Sequence, residues 1–376
     1  MILRSSLIAA WAALLFLPFK GIISALVLFA IIFSGLLAFE PARKLGNAVR
    51  DPSKALKIKG LKAGIREKFS FALPVFRSFA LPVLCFLVLF PPFSLNNYYM
   101  DVLIMSGIYM LLALGLNVIV GFTGLLNLGF AAFYAIGAYT YALLNTKLGL
   151  GFWPSLPLSA CAAAVSGAIL AVPALRLRGD YLAIVTLGFG EIMRIVLNNW
   201  DSLTMGPNGI SGIAPPALFG LSLAGLHSFY YLVVLLVAVS VVVMKRIERS
   251  RIGRAWIAIR ENEIAASSMG INITKYKLYA FAFGTFWAGI AGALFAAKMR
   301  FVSPESFTFM ESVMILSMVI LGGLGNVYGA LVGAFILVLL PEALRGVQMY
   351  RMLLMGAGLV ALMIFRPQGL MGKARR

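Results

Sequence analysis

Long apolar runs alternate with short polar intervals along the whole chain. Runs lie at residues 5–19, 21–39, 78–94, 100–120, 124–145, 153–175, 180–199, 227–244, 277–297, 311–322, 326–344 and 349–366, and those from 78–94 to 180–199 are each near the length of about 20 residues that a helix needs to cross a hydrocarbon core. The pattern predicts an all-α fold, a polytopic helical bundle of about 10 to 12 membrane segments, with broken or re-entrant helices where glycine is dense. Arg4 and the first run resemble a signal peptide, but no small-residue cleavage site leads to a soluble domain. Lys20 is followed at once by a second run, so residues 1–39 read as a retained helical hairpin.

The polar intervals divide the chain and orient it. Residues 40–77 carry ten Lys or Arg against three acids, which places them in the cytoplasm by the positive-inside rule. At most they hold an interfacial helix over 54–71. Alternation from there puts Arg176 and Arg178, the segment 245–277 and the tail with Lys373, Arg375 and Arg376 on the same side, and both termini in the cytoplasm. The expected organisation is a hairpin plus basic linker (1–77), a first part of a membrane core (78–244), a cytoplasmic segment (245–277), and a second part of the core with a basic tail (278–376). Residues 198–226, rich in glycine and proline, read as an outer loop of turns.

Composition supports the membrane reading: the chain is 61% hydrophobic, 12% charged and has a mean hydropathy of +0.96. A net charge of +19 raises nucleic acid as a partner. The cations, however, gather between apolar runs, as cytoplasmic loops facing anionic lipid would have them, and no nucleic-acid-binding motif accompanies them. Cys85 and Cys161 lie inside apolar runs and read as buried small hydrophobes rather than a disulfide framework.

Four stretches carry candidate chemistry. The segment 245–277 opens with Lys245, Arg246, Arg249, Arg251 and Arg254, continues as one helix-compatible stretch over 255–269, and stops at Gly270. Ala258, Asn262, Ala265, Ala266 and Met269 share a helix face, with Arg260, Glu261, Glu263 and Ser267 off it. The stretch is either a solvated basic loop or a helix that a partner approaches closely. Two glycine clusters, around Gly121, Gly124 and Gly129 and around Gly322, Gly323 and Gly325, either pack helices closely or break them. In the second case Asn117, Thr123, Asn127 and Asn326 line a translocation path. Glu191 and Arg194 lie at i,i+3 on one stripe, as a structural pair or as pathway groups. There is no His-Glu-x-x-His, no Gly-x-Ser-x-Gly and no phosphate-binding Gly-x4-Gly-Lys loop, so catalytic residues and metal ligands are not expected, and any ATP must be bound by another polypeptide.

Several of these stretches together resemble the permeases of branched-chain amino acid ABC importers. The likeness rests on Gly115 and Asn117 through Gly124 to Tyr139, on Leu175 through Asp180 and Tyr181 to Glu191, and on Gly206, Pro207, Asn208, Gly209 and Ser211. It extends to Gly253 with Arg260 through Ala266, to Phe301 through Ser306, and to Arg366, Pro367, Gln368, Gly369 and Leu370, so it covers about residues 100–370. The longer N-terminal region is similar to the LivM-type subunit rather than the shorter LivH-type one.

The resemblance implies an inner-membrane transport subunit with no cofactor of its own. It implies a second, homologous permease, two cytoplasmic ATPase subunits that hold ATP and Mg, and a periplasmic binding protein delivering leucine, isoleucine or valine. Urea or short amides are the alternative cargo within the family, and an ion-coupled carrier is the alternative class. It further implies that 245–277 is the coupling loop, whose usual pattern is Glu-Ala-Ala, three residues, then Gly. Ala265, Ala266 and Gly270 match, with Arg260, Glu261 and Glu263 beside them; Ile264 occupies the glutamate position.

Overall fold

The structure, a computed structural model, describes residues 96–174, 177, 179–218, 221–222, 225–343, 356 and 369–371. The hairpin and linker expected over 1–77, the spans at 78–94 and 349–366, Cys85, Arg176, Arg178 and the basic tail lie outside the described residues.

The chain is an all-α polytopic membrane protein. Helix α1 (Asn97–Leu116) runs on as a π-helical segment (Asn117–Phe122), followed by α2 (Phe130–Leu148), α3 (Phe152–Ala174) and α4 (Asp180–Asn199). Next come α5 (Leu226–Arg249), α6 (Arg251–Glu261), α7 (Glu263–Ser268), α8 (Ile273–Met299), α9 (Phe309–Gly322) and α10 (Val327–Ala343). The strands described are two short antiparallel pairs, Ile210–Ser211 with Phe301–Val302 and Ala217–Leu218 with Leu221–Ser222. Among the described residues, α1 with its π extension, α3, α5 and α8 are long and apolar enough to cross a membrane, and α9 and α10 are shorter apolar helices.

Two elements differ from the expected runs. The run expected to begin at residue 124 becomes helical only at Phe130, because Gly124 takes φ +74° and the Asn127 side chain accepts a bond from Gly129 N, which favours a turn. Helix α5 outlasts its apolar run and carries Lys245, Arg246 and Arg249 in its final turns, where cations suit the negative end of the helix.

Helix α8 is the centre of the core and packs along α3, α2 and α1. Its buried residues include Ala280, Gly284, Ala288, Gly289, Ala291 and Gly292, small enough for neighbouring backbones to come close. A Cβ on Gly284 would meet the Gly115 carbonyl oxygen of α1 at 2.7 Å, and one on Gly289 would meet Ala160 Cα of α3 at 2.7 Å. In a membrane the apolar surfaces of helices gain little by leaving lipid, so such intimate contact is what association rests on. The remaining apolar surface faces outward: Val165, Ile169 and Val172 of α3 and Ile184 and Ile192 of α4 are exposed. Cys161 belongs to that outer surface and is exposed, not buried as its apolar surroundings suggested, since a membrane helix is apolar on its outer face too.

Gly284→Leu should destabilise the protein by about 1–3 kcal/mol or more through overpacking. Gly188→Ala, at a helix position with open space around it, should leave stability unchanged or raise it slightly. Thermal unfolding in one detergent distinguishes the two.

Candidate functional site

The basic segment is built on two helices. Ser250 caps α6, its hydroxyl accepting from Gly253 N at 3.3 Å, and α6 turns Ala255, Trp256 and Ile259 inward. The Trp256 Nε1–H donates to the Tyr276 carbonyl at 2.8 Å, which fixes α6 against the start of α8. The single helix expected over 255–269 is interrupted: Asn262 has φ −161° and ψ 112°, and its Oδ1 accepts from Ile264 N (2.9 Å) and Ala265 N (3.1 Å). An asparagine side chain that caps a new helix end competes with continuing the old one, so α6 stops and α7 begins. Gly270, at φ +80°, ends α7, with Ile271 N bonded to the Ala266 carbonyl and Gly270 N to the Ser267 carbonyl, a Schellman pair.

The corner at Asn262 splits the expected small-residue face. Ala266 is buried and Ala258 half-buried, whereas Ala265 and Met269 are exposed. The charges also divide. Glu263 turns inward and pairs with Lys277 of α8, a lysine only 2% exposed. Arg260 reaches the opposite way, its Nη1–H donating to the Gly121 carbonyl at 2.5 Å. With both bonded to protein, the large apolar groups of α7 and its end that face outward are Ile264 at 71% exposure and Met269 at 83%, alongside exposed Glu261 and Ala265.

Arg260 enters the place where the two glycine clusters meet. Asn117 Oδ1, on the π segment, accepts from Gly325 N at 2.9 Å. Gly325 has φ +78°, and a Cβ there would stand 2.7 Å from Arg260 Nη1 and 3.0 Å from the Gly121 carbonyl oxygen. Asn326 donates to the Met371 carbonyl at 2.7 Å and accepts from Tyr328 N at 3.1 Å, and Leu370 N bonds to the Leu321 carbonyl at 2.8 Å. The junction thus brings together Asn117, Arg260 and Asn326 with the docked residues Leu370 and Met371.

Thr123 and Asn127 lie in the non-helical residues 123–129. Thr123 donates to the Ile119 carbonyl at 2.5 Å. Leu128 N donates to Thr186 Oγ1 of α4 at 3.0 Å, and Ala131 N to Ser312 Oγ of α9 at 2.9 Å. Side-chain hydroxyls therefore satisfy donors that helix geometry leaves free. Asn127 is buried, and its Nδ2 has no hydrogen-bond partner among the described residues. A small cleft beside it is lined by Leu128, Ala131, Leu187, Gly190, Glu191 and Ser312. Glu191 there holds Arg194 at 2.8 Å, each about one-third exposed. Tyr109 of α1 donates to Glu311 of α9 at 3.0 Å. No group of His, Cys, Asp and Glu among the described residues could hold a metal ion.

Sequence reasoning passed over Thr186, Ser312 and Lys277. A hydroxyl inside an apolar run and a lone lysine at the start of one were the available signals, and both need a stated partner before they mean anything.

Residues 98–363 match the model of the family described as branched-chain amino acid transport system / permease component. The chain belongs to that family. The high-affinity branched-chain amino acid transport system permease protein LivM of Salmonella typhimurium is 48% identical over 307 residues, covering 76% of this permease and 72% of that protein. The LivH protein of the same system and organism is 27% identical over 290 residues, covering 70% and 91%. BraD of Pseudomonas aeruginosa is 26% identical over 283 residues, covering 70% and 92%. No solved structure matches. The permease is a transport component, similar to both LivM and LivH proteins.

The Glu263–Lys277 pair should prove asymmetric. Glu263→Gln strands a buried ammonium and should cost about 3 kcal/mol, whereas Lys277→Met leaves a carboxylate with access to water and should cost less. Thermal unfolding of the two variants, with limited proteolysis across α7, reads the difference.

Proposed function

We propose that this permease is a transmembrane subunit of an ATP-driven importer of leucine, isoleucine and valine, set in the bacterial inner membrane with both termini cytoplasmic. It receives substrate from a periplasmic binding protein and pairs with a homologous LivH-like permease. Two ATPase subunits bind ATP and Mg on the cytoplasmic side. The names of the relatives, all branched-chain amino acid systems, favour that cargo over urea or short amides. The observation that carries the ATP-driven reading over an ion-coupled carrier is the corner of α6 and α7. It is a compact polar-region element in which Glu263 and Arg260 bond to the membrane core while two large apolar side chains, Ile264 and Met269, are turned out.

In this reading Ile264, Ala265 and Met269 enter a groove on the ATPase, with Glu261 at the rim. A groove that grips the two states of the permease differently shifts their equilibrium, and coupling needs nothing beyond that difference. Ala266, the Gly270 stop and the Glu263–Lys277 pair keep α7 rigid against α8. Arg260 carries displacement to the π segment and to Gly325, two places where the backbone is not locked in α-helical bonding. The contact at Ile264 is apolar where the usual loop has a glutamate, so the matching ATPase surface is apolar there.

The substrate path runs beside the cleft at Glu191 and Ser312, with Thr123 and Asn127 behind it and Asn117 and Asn326 at its gate. Selectivity lies mainly in the binding protein; the path needs only enough polarity to pass a zwitterion and enough apolar surface for its side chain.

Ile264→Asp, like Ala265→Arg or Gly270→Trp, should abolish leucine uptake and substrate-stimulated ATP hydrolysis while membrane insertion is unchanged. Normal uptake by a folded Ile264→Asp permease would overturn the docking assignment. Leu187→Trp, which fills the cleft, should stop uptake with ATPase assembly intact; an unchanged maximal rate would remove the cleft from the path.

A further inference from the structure

A second concave surface lies on the flank of α6, where it meets α5 and α8. Ile247 of α5, Ile252 and Trp256 of α6, and Tyr279, Phe283 and Phe286 of α8 line an open groove of about 350 Å³. Its wall is apolar and aromatic. The one polar atom of the indole is turned away, donating to the Tyr276 carbonyl, and Trp256 and Phe283 stand 6.3 Å apart, ring centroid to centroid. No carboxylate lines the groove to take the ammonium of an amino acid, and small-molecule sites place convergent polar groups for each charged end of their ligand. From Tyr279 to Phe286 the groove follows α8 for about 10 Å at the helical rise of 1.5 Å per residue. An extended hydrocarbon chain suits that shape.

The rim of the groove is basic. Lys275 stands over the ring of Tyr279, 5.7 Å from its centroid, and exposed Arg251 adjoins Ile252 in the chain. Other cations of the segment are used inward: Lys245 pairs with Glu248, Lys277 with Glu263, and Arg260 bonds to Gly121. Arg251 and Lys275 are exposed beside an apolar slot, which is the complement of an anionic amphiphile. We propose that the groove seats one acyl chain of an anionic phospholipid, with its phosphate held by Arg251 and Lys275. The assignment to the cytoplasmic leaflet rests on the orientation given above. A lipid held there touches α5, α6 and α8 together, so it bears on the corner that carries the coupling surface.

The full-length permease, reconstituted in phosphatidylcholine vesicles containing a minor fraction of either phosphatidylglycerol or phosphatidylcholine with brominated acyl chains, tests this by tryptophan quenching. The Trp256 signal is the difference from Trp256→Phe. Tyr279→Trp at the exposed rim supplies a second reporter should that variant fold poorly. Brominated phosphatidylglycerol should quench at a lower mole fraction than brominated phosphatidylcholine. Arg251→Gln and Lys275→Gln should each reduce the preference about fivefold, the weight of one surface cation near anionic lipid. Equal quenching by both lipids would overturn the proposal in favour of unselective contact with bulk lipid. No quenching by either would overturn it in favour of a groove covered by protein. Neither substrate nor ATPase is needed, so failure here leaves the transport reading standing, and failure of transport coupling leaves this binding measurable.

Discussion

In hydrocarbon every peptide group that leaves a helix must find another partner, and this requirement shapes the permease more than any pairing of apolar faces. The Leu128 and Ala131 amides are met by the hydroxyls of Thr186 and Ser312. The Gly121 carbonyl is met by Arg260, and the Gly325 amide by Asn117. Each partner comes from a different part of the chain. The irregular places therefore bind α1, α4, α9 and the basic segment to one another, whereas the regular helices touch largely through small residues. Irregular backbone is here the source of long-range connection.

The packing around α8 and the junction differ in kind. Around α8, Gly284, Gly289 and Gly292 allow backbones to approach closely, and the result is a dense centre with few polar atoms. At the junction, Gly325 clears space for the Arg260 guanidinium and Gly121 for the Asn117 side chain, and the Gly121 carbonyl is left for the guanidinium to bond. One residue type serves rigidity in the first setting and polar contact in the second. Position relative to a cation decides which.

Much of the helical layout was legible in the sequence because apolar run length is a direct consequence of membrane thickness. The ends of α3, α4 and α8 lie within a few residues of their runs, and Gly270 ends α7 as its place in the pattern implied. The corner at Asn262 was not legible, because a helix-compatible stretch and a cap share the same letters until backbone geometry chooses between them. The meeting of Arg260 with Gly121 was hidden for another reason: it joins residues 139 positions apart. Glu191 and Arg194, three positions apart, needed only helix periodicity. Cys161 misled because apolar character marks both the interior and the lipid face of a membrane helix.

If it docks on an ATPase as proposed, the pair α6 and α7, bent at Asn262, would work as a bell crank. Its pivot is the Asn262 cap, and its arms end on different shafts: α7 on the base of α8 through Glu263 and Lys277, α6 on the end of α1 through Arg260. In that proposal a push on the outer tip would deliver motion to α8 and α1 with different lever lengths, so the two helices would be displaced by unequal amounts. They cross at Gly115 and Gly284, where neither backbone can yield toward the other. Unequal displacement at one end of such a crossing would become rotation about it, so a small stroke at the proposed docking face would change the tilt at the far side of the crossing.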